Sequence, residues 1–88
     1  MASYNIQWEP RAIKELRAID RIPAIKILKV VTKLQDDPAL GQSLQGRFKR
    51  FRRLRVGDYR VIYHVRHQAL IILILRVAKR SDAYRPFR

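Results

Sequence analysis

A chain of 88 residues is enough for one domain (residues 1–88), and a hydrophobic content of 48% excludes a disordered polymer. Twenty Lys and Arg against seven Asp and Glu leave a net charge of +13. That degree of self-repulsion points to a polyanionic or acidic partner: RNA, DNA, an anionic membrane or an acidic protein. The absence of cysteine excludes a disulfide framework and a thiolate metal site, and it suits a reducing, cytoplasmic setting.

In chain order, Met1 to Trp8 lacks a basic flank followed by an apolar run, so no secretory signal is expected. Tyr4-Asn5-Ile6-Gln7-Trp8 alternates apolar with polar and predicts a short strand. Glu9-Pro10 suits a helix start, with Ala12, Ile13, Leu16 and Ile19 as its apolar stripe. Asp20 to Pro23 interrupts that helix. Ala24, Ile27, Leu28, Val31 and Leu34 then recur at helical spacing as the inner face of a second, with Lys26, Lys29 and Lys33 on the other side. Asp36-Asp37-Pro38 ends it. Phe48–Val56, Tyr59–His67 and Leu70–Lys79 read as three strands. The last is nearly continuous Ile and Leu, which suits a strand covered on both faces. Its longest apolar run, Ala69 to Leu75, is far short of the roughly 20 residues that span a bilayer, so no membrane association is expected. The fold class expected is α+β: an N-terminal strand and a helical hairpin packed on a mostly antiparallel sheet.

Arginine outnumbers lysine, and guanidinium forks match phosphate oxygens where lysine acts as a point charge. Gly57-Asp58 suits a two-residue hairpin loop with glycine at positive φ. A loop that tight sets the register: Val56 across from Tyr59, Arg55 from Arg60, Leu54 from Val61, Arg53 from Ile62. Leu54, Val56, Tyr59, Val61, Tyr63 and Val65 then share a core face. Arg53, Arg55, Arg60, Ile62 and His64 share the other. Like charges directly opposite one another destabilise a sheet, so the arrangement makes sense with an anion between them. Solvated arginines spread over an exposed sheet are the plainer alternative.

The segment Arg53-Leu54-Arg55-Val56-Gly57-Asp58-Tyr59-Arg60-Val61-Ile62-Tyr63 closely resembles the signature of the RelE/ParE toxin superfamily. Leu44-Gln45-Gly46 matches that family's Leu-x-Gly. Val77 to Arg85 resembles its C-terminal motif, with Ala78 replacing a frequent glycine and Lys79 standing where many members carry histidine. The resemblance implies the toxin of a toxin–antitoxin pair. One branch cuts mRNA in the ribosomal A site; the other shares the fold but poisons DNA gyrase and generally lacks the nuclease residues. The nuclease branch uses a basic residue before the turn, the arginine after Gly-x-Tyr, and a C-terminal arginine and tyrosine. These fall on Arg53, Arg60, Arg80 and Tyr84, which favours that branch.

Metal-independent RNA cleavage needs a base for the ribose 2′-OH, cations for the pentacoordinate phosphate and an acid for the leaving 5′-oxygen. Arginine cannot serve as a base near neutrality, so Arg60 and Arg80 are expected to stabilise charge, with Arg53 on the phosphate or the leaving oxygen. Tyr84 is the proton-transfer candidate, its phenolate favoured by neighbouring cations, although it could instead anchor the tail or stack on a base. Arg52, Arg55, Lys49, Lys79 and Arg85 are the expected RNA-gripping residues. His64 lies too far along its strand from Arg60 and is expected to be exposed and idle; Phe48 and Phe51 either contact RNA or cap the sheet. No carboxylates fall in a metal-binding pattern, so neither a metal nor a cofactor is expected. The implied partners are a separately encoded acidic, RelB-like antitoxin in a toxin–antitoxin hetero-oligomer, mRNA and the ribosome with its RNA. A non-catalytic basic RNA-binding module remains open, because gripping and cleaving phosphate use the same residues.

Overall fold

Pro10 decides where helix begins. Its ring suits the first helical position, and α1 runs Pro10–Arg17 from an N-cap at Glu9. The computed structural model describes residues 3–79. Among these, five strands and two α-helices follow in the order β1 (Asn5–Trp8), α1, α2 (Arg21–Thr32), β2 (Gln42–Ser43), β3 (Arg52–Val56), β4 (Tyr59–Arg66) and β5 (Ile71–Lys79). The sheet order is β1-β5-β4-β3-β2; β1 pairs with β5 in parallel and the remaining pairs are antiparallel. The architecture is the expected α+β one, a helical pair on a mostly antiparallel sheet.

The helices cover one face of that sheet. Ala12 of α1, Ile27 and Val31 of α2 and Leu34 just beyond meet Leu54, Val56, Val61, Tyr63, Ile72, Ile74 and Val77 in a single buried cluster. Burial of each large aliphatic side chain stabilises the fold by roughly 1.5–3 kcal/mol. On the opposite face Ile62 and Ala78 are buried with Leu44, Phe51 and Leu75 packed against them. β5 is therefore covered on both faces, as its continuous apolar run requires. A bulge at Leu75, where Ile62 faces Arg76 but Tyr63 faces Ile74, lets β5 supply both clusters.

β1 stops at Trp8, opposite Ile74, while β5 continues to Lys79. Glu15 of α1 serves the stretch left uncovered. Its Oε1 accepts the Val77 N–H at 2.9 Å, and its Oε2 accepts Arg76 Nε and Nη2, each at 2.7 Å. Arg76 is only 5% exposed, so this carboxylate compensates a buried cation as well as an orphan backbone donor.

Three local expectations are corrected. Pro23 lies inside α2, in its first turn, where its missing N–H costs no hydrogen bond; the break between helices is confined to Ala18–Asp20. Leu28 and Ile13 are not inner residues but are 44% and 37% exposed: α2 turns Ile27 and Val31 inward and leaves Ile22, Ile25 and Leu28 outside, and α1 turns Ala12 inward beside Ile13. Residues 48–51 are not strand. Gly46, at φ +65°, turns the chain into a 3-10 turn at Gly46–Phe48, and the Leu44 N–H closes the excursion on the Phe51 carbonyl at 3.1 Å. The aromatic pair spaced by three serves that turn and lays Phe51 on Ile62, which a strand could not do.

Candidate functional site

The β3–β4 hairpin turns through Gly57-Asp58, with Gly57 at φ +59°. Its pairing is Val56↔Tyr59, Arg55↔Arg60, Leu54↔Val61 and Arg53↔Ile62, as the tight turn demands. Leu54, Val56, Val61 and Tyr63 face the helices. By the pleat, Arg53, Arg55 and Arg60 occupy the other face, with two guanidinium-bearing residues directly opposite one another. Arg55 is exposed; Arg53 and Arg60 are half-buried, so Arg60 is less open than a bare sheet face would leave it. Ile62, expected on that open face, is fully buried under Leu44 and Phe51. The segment 44–51 thus roofs the middle of the face over Ile62 and leaves the Arg55–Arg60 pair nearer the hairpin turn.

The Arg53 guanidinium is set by β2: its Nη2 donates to Gln42 Oε1 at 2.6 Å. Both line a concavity of about 470 Å³ where β2 begins, together with Val30 of α2, Lys33, Leu40, Gly41, Leu54 and Arg55. Lys79, expected among the RNA-gripping residues, is exposed at the end of β5 but lies opposite Tyr59 and lines a hollow with Ile22, Pro23 and Lys26, so the register puts it on the helix side of the sheet, away from Arg55 and Arg60; Lys49 is exposed beyond the 3-10 turn. Arg52 is placed differently. It lies opposite Tyr63, and its Nε and Nη2 donate to the Gly41 carbonyl at 3.0 and 2.8 Å, with Nη2 also 3.2 Å from the Ala39 carbonyl. That guanidinium is occupied in holding a loop. Arg80, Tyr84 and Arg85 lie outside the described residues.

Beneath the site a buried latch holds the loop before β2. The hydroxyl of fully buried Tyr63 accepts the Gly41 N–H at 2.9 Å and donates to the Pro38 carbonyl at 2.8 Å. Burial pushes the Tyr63 phenol above its ordinary pKa, outweighing the opposing pull of the Gly41 N–H and of Arg52. Gly41 packs so closely that a Cβ would lie 2.6 Å from both the Arg53 carbonyl oxygen and the Tyr63 hydroxyl. No local motif marks Gln42, Gly41 or the Tyr63 hydroxyl as part of a site. Only the glycine four residues after Asp37 and the tyrosine on a core face hinted at them.

His64 is not idle. Its Nδ1 donates to the Arg50 carbonyl at 2.9 Å and its ring meets Phe51 edge-on at 6.0 Å, tying the roof to β4. Phe51 caps the sheet, and Arg50 and Arg47 stack over Phe51 and Phe48 at 5.3 and 5.0 Å. Among the described residues no three His, Asp or Glu side chains gather, and no helix is long and apolar enough to cross a membrane. The arrangement sets three arginines on one sheet face, two of them half-buried, and guanidinium forks suit phosphate oxygens.

In sequence, a model of the ParE toxin of the type II toxin–antitoxin system parDE matches residues 6–84, and no curated protein matches. In structure, the chain is similar to the RelBE2 toxin–antitoxin complex of Mycobacterium tuberculosis, at 21% identity and a TM-score of 0.81 over 89% of this chain and 99% of the other. The isolated RelE toxin of E. coli is similar at 20% identity and a TM-score of 0.79, covering 88% and 84% of the two chains. A chromosomal ParDE system of P. aeruginosa is similar at 20% identity and a TM-score of 0.70, covering 88% and 96%. With the hairpin, the helical pair and the arginine face in place, a family match across nearly the whole length leads to one conclusion: the chain belongs to the ParE toxin family of type II toxin–antitoxin systems, within the RelE/ParE superfamily.

Proposed function

We propose that this toxin is a metal-independent endoribonuclease that cuts mRNA in the ribosomal A site. The observation that carries the reading is Arg55 directly opposite Arg60 with Arg53 alongside. Like charges directly opposite one another weaken a sheet, and an anion such as phosphate between them offsets that cost. In the proposed reaction the ribose 2′-oxygen attacks the adjacent phosphorus and the bond to the 5′-oxygen breaks. Arg60 and Arg80 stabilise the charge that develops on phosphate. Arg53 holds the phosphate or the leaving oxygen, and Tyr84 transfers the proton. Arg55, Lys49 and Arg85 grip the flanking backbone; Arg52, committed to the loop carbonyls, supports the site from below.

The test is mRNA cleavage on programmed ribosomes, read by primer extension, for wild type and Arg60→Ala with EDTA present. Discrete A-site cuts that survive EDTA and disappear in the variant support the proposal. The gyrase-poison reading has its own observation, since the matching family model is the ParE one. Intact mRNA from a preparation that still halts growth would favour it. The exposed apolar residues Ile22, Ile25 and Leu28 of α2, with the exposed Lys26 and Lys29 beside them, form the surface proposed for the antitoxin. An apolar helix face edged with cations fits an acidic amphipathic segment.

A further inference from the structure

Arginine is long and flexible, and a catalytic cation must be in place before charge develops on the phosphate. At the edge of the arginine face the Gln42 side chain meets that need for Arg53. Gln42 pairs with Arg53 across β2 and β3, and its Oε1 accepts from Arg53 Nη2 at the short distance of 2.6 Å. The acceptor is neutral, so it orients the guanidinium without cancelling its charge. A carboxylate at that position would draw the fork in equally well and remove the attraction for phosphate.

The position of Gln42 is itself determined from beneath. The residue before it, Gly41, is held through its N–H by the buried Tyr63 hydroxyl and through its carbonyl by Arg52. Pro38 and Ala39 are held by the same two side chains. The two-residue strand β2 would have little reason to stay registered alone; the latch gives it a rigid base. A chain of contacts thus runs from a fully buried tyrosine, through a glycine that admits no Cβ, to an exposed glutamine that ends on a cation of the site.

We propose that Gln42 is a positioning residue that sets the Arg53 guanidinium for work on phosphate, an inference that rests on reading the arginine face as a phosphate-handling site. Gln42 is exposed, so its variants keep the fold. The experiment compares wild type, Gln42→Ala, Gln42→Glu, Arg53→Ala and the double variant on programmed ribosomes, alongside 15N–1H spectra of the arginine side chains of the free toxin. Gln42→Ala is expected to lower kcat about tenfold with KM within about twofold, because misplacement affects the transition state more than encounter. Gln42→Glu raises KM. The double variant is no worse than Arg53→Ala, because both changes remove one function. An unchanged kcat in Gln42→Ala, or losses that add in the double variant, overturns the proposal. Should wild type cut no mRNA, the nuclease reading fails, and the spectra decide the positioning inference. Resolved, slowly rotating Arg53 Nη signals that average in Gln42→Ala uphold it; identical spectra overturn it.

Discussion

Replacing Tyr63 with phenylalanine removes one oxygen from the interior and leaves the ring in place. The hydroxyl is the acceptor for the Gly41 N–H at 2.9 Å and the donor to the Pro38 carbonyl at 2.8 Å. Tyr63 is 0% exposed and Gly41 is buried, so solvent does not replace the lost oxygen without opening the loop. Two net hydrogen bonds at about 1 kcal/mol each, plus the extra cost of a stranded buried N–H, give a loss of about 2–4 kcal/mol. For a domain of this size that corresponds to a fall in melting temperature of about 10–25 °C. The assay is urea and thermal unfolding at neutral pH by circular dichroism, with Tyr59→Phe, at the hairpin, as the reference. The midpoint should fall with an unchanged urea slope, since the surface exposed on unfolding is the same. A loss below about 0.5 kcal/mol would show that the loop detaches without cost and that the latch holds nothing.

Other consequences follow from the same structure. Burial raises the Tyr63 pKa, so its contribution is fully present below the unfolded value near 10 and is lost as pH rises through the higher folded value. Alkaline unfolding of wild type should therefore show a component that Tyr63→Phe lacks. Gly41→Ala places a methyl against the Arg53 carbonyl oxygen and the Tyr63 hydroxyl and should cost about 1–3 kcal/mol by overpacking, read in the same melts. Glu15→Ala strands Arg76 in a buried position and should cost about 3–5 kcal/mol, whereas Arg11→Ala, whose contact with Glu15 is an exposed one at 3.9 Å, should change stability by under about 0.5 kcal/mol. Arg55→Glu replaces repulsion across the hairpin with attraction. It should raise stability by about 0.5–1 kcal/mol while weakening RNA binding, measured by fluorescence anisotropy. A destabilised Arg55→Glu would remove the argument from like-charge cost.

The hairpin was legible because its information is local. Gly57-Asp58 dictates a two-residue loop, the loop dictates the register, and the register brings Arg55 to Arg60. The roof over the sheet was not legible. Phe48 and Phe51 sit in an otherwise extended-looking run, and only the turn at Gly46 and contact with Ile62 distinguish a 3-10 excursion from a strand. Leu28 fits the helical period as well as Ile27 does; which of them turns inward depends on how α2 docks, not on spacing. Glu15 and Arg76 are 61 positions apart, and no local pattern pairs them. The same holds for Gly41, whose need for a bare Cα arises from Tyr63 and Arg53 on other strands.

The parallel pairing of β1 with β5 joins Asn5 to Ile71 and Trp8 to Ile74, so among the described residues the first strand is completed by the fifth. β5 also supplies Ile72, Ile74 and Val77 to the core. A nascent chain that has not yet extruded residue 79 lacks a partner for β1, one wall of the core and the partner of Glu15. Contacts of such sequence separation form slowly. The sheet that carries Arg53, Arg55 and Arg60 therefore settles only once β5 has been made, and the arginine face waits on the strand that closes the core.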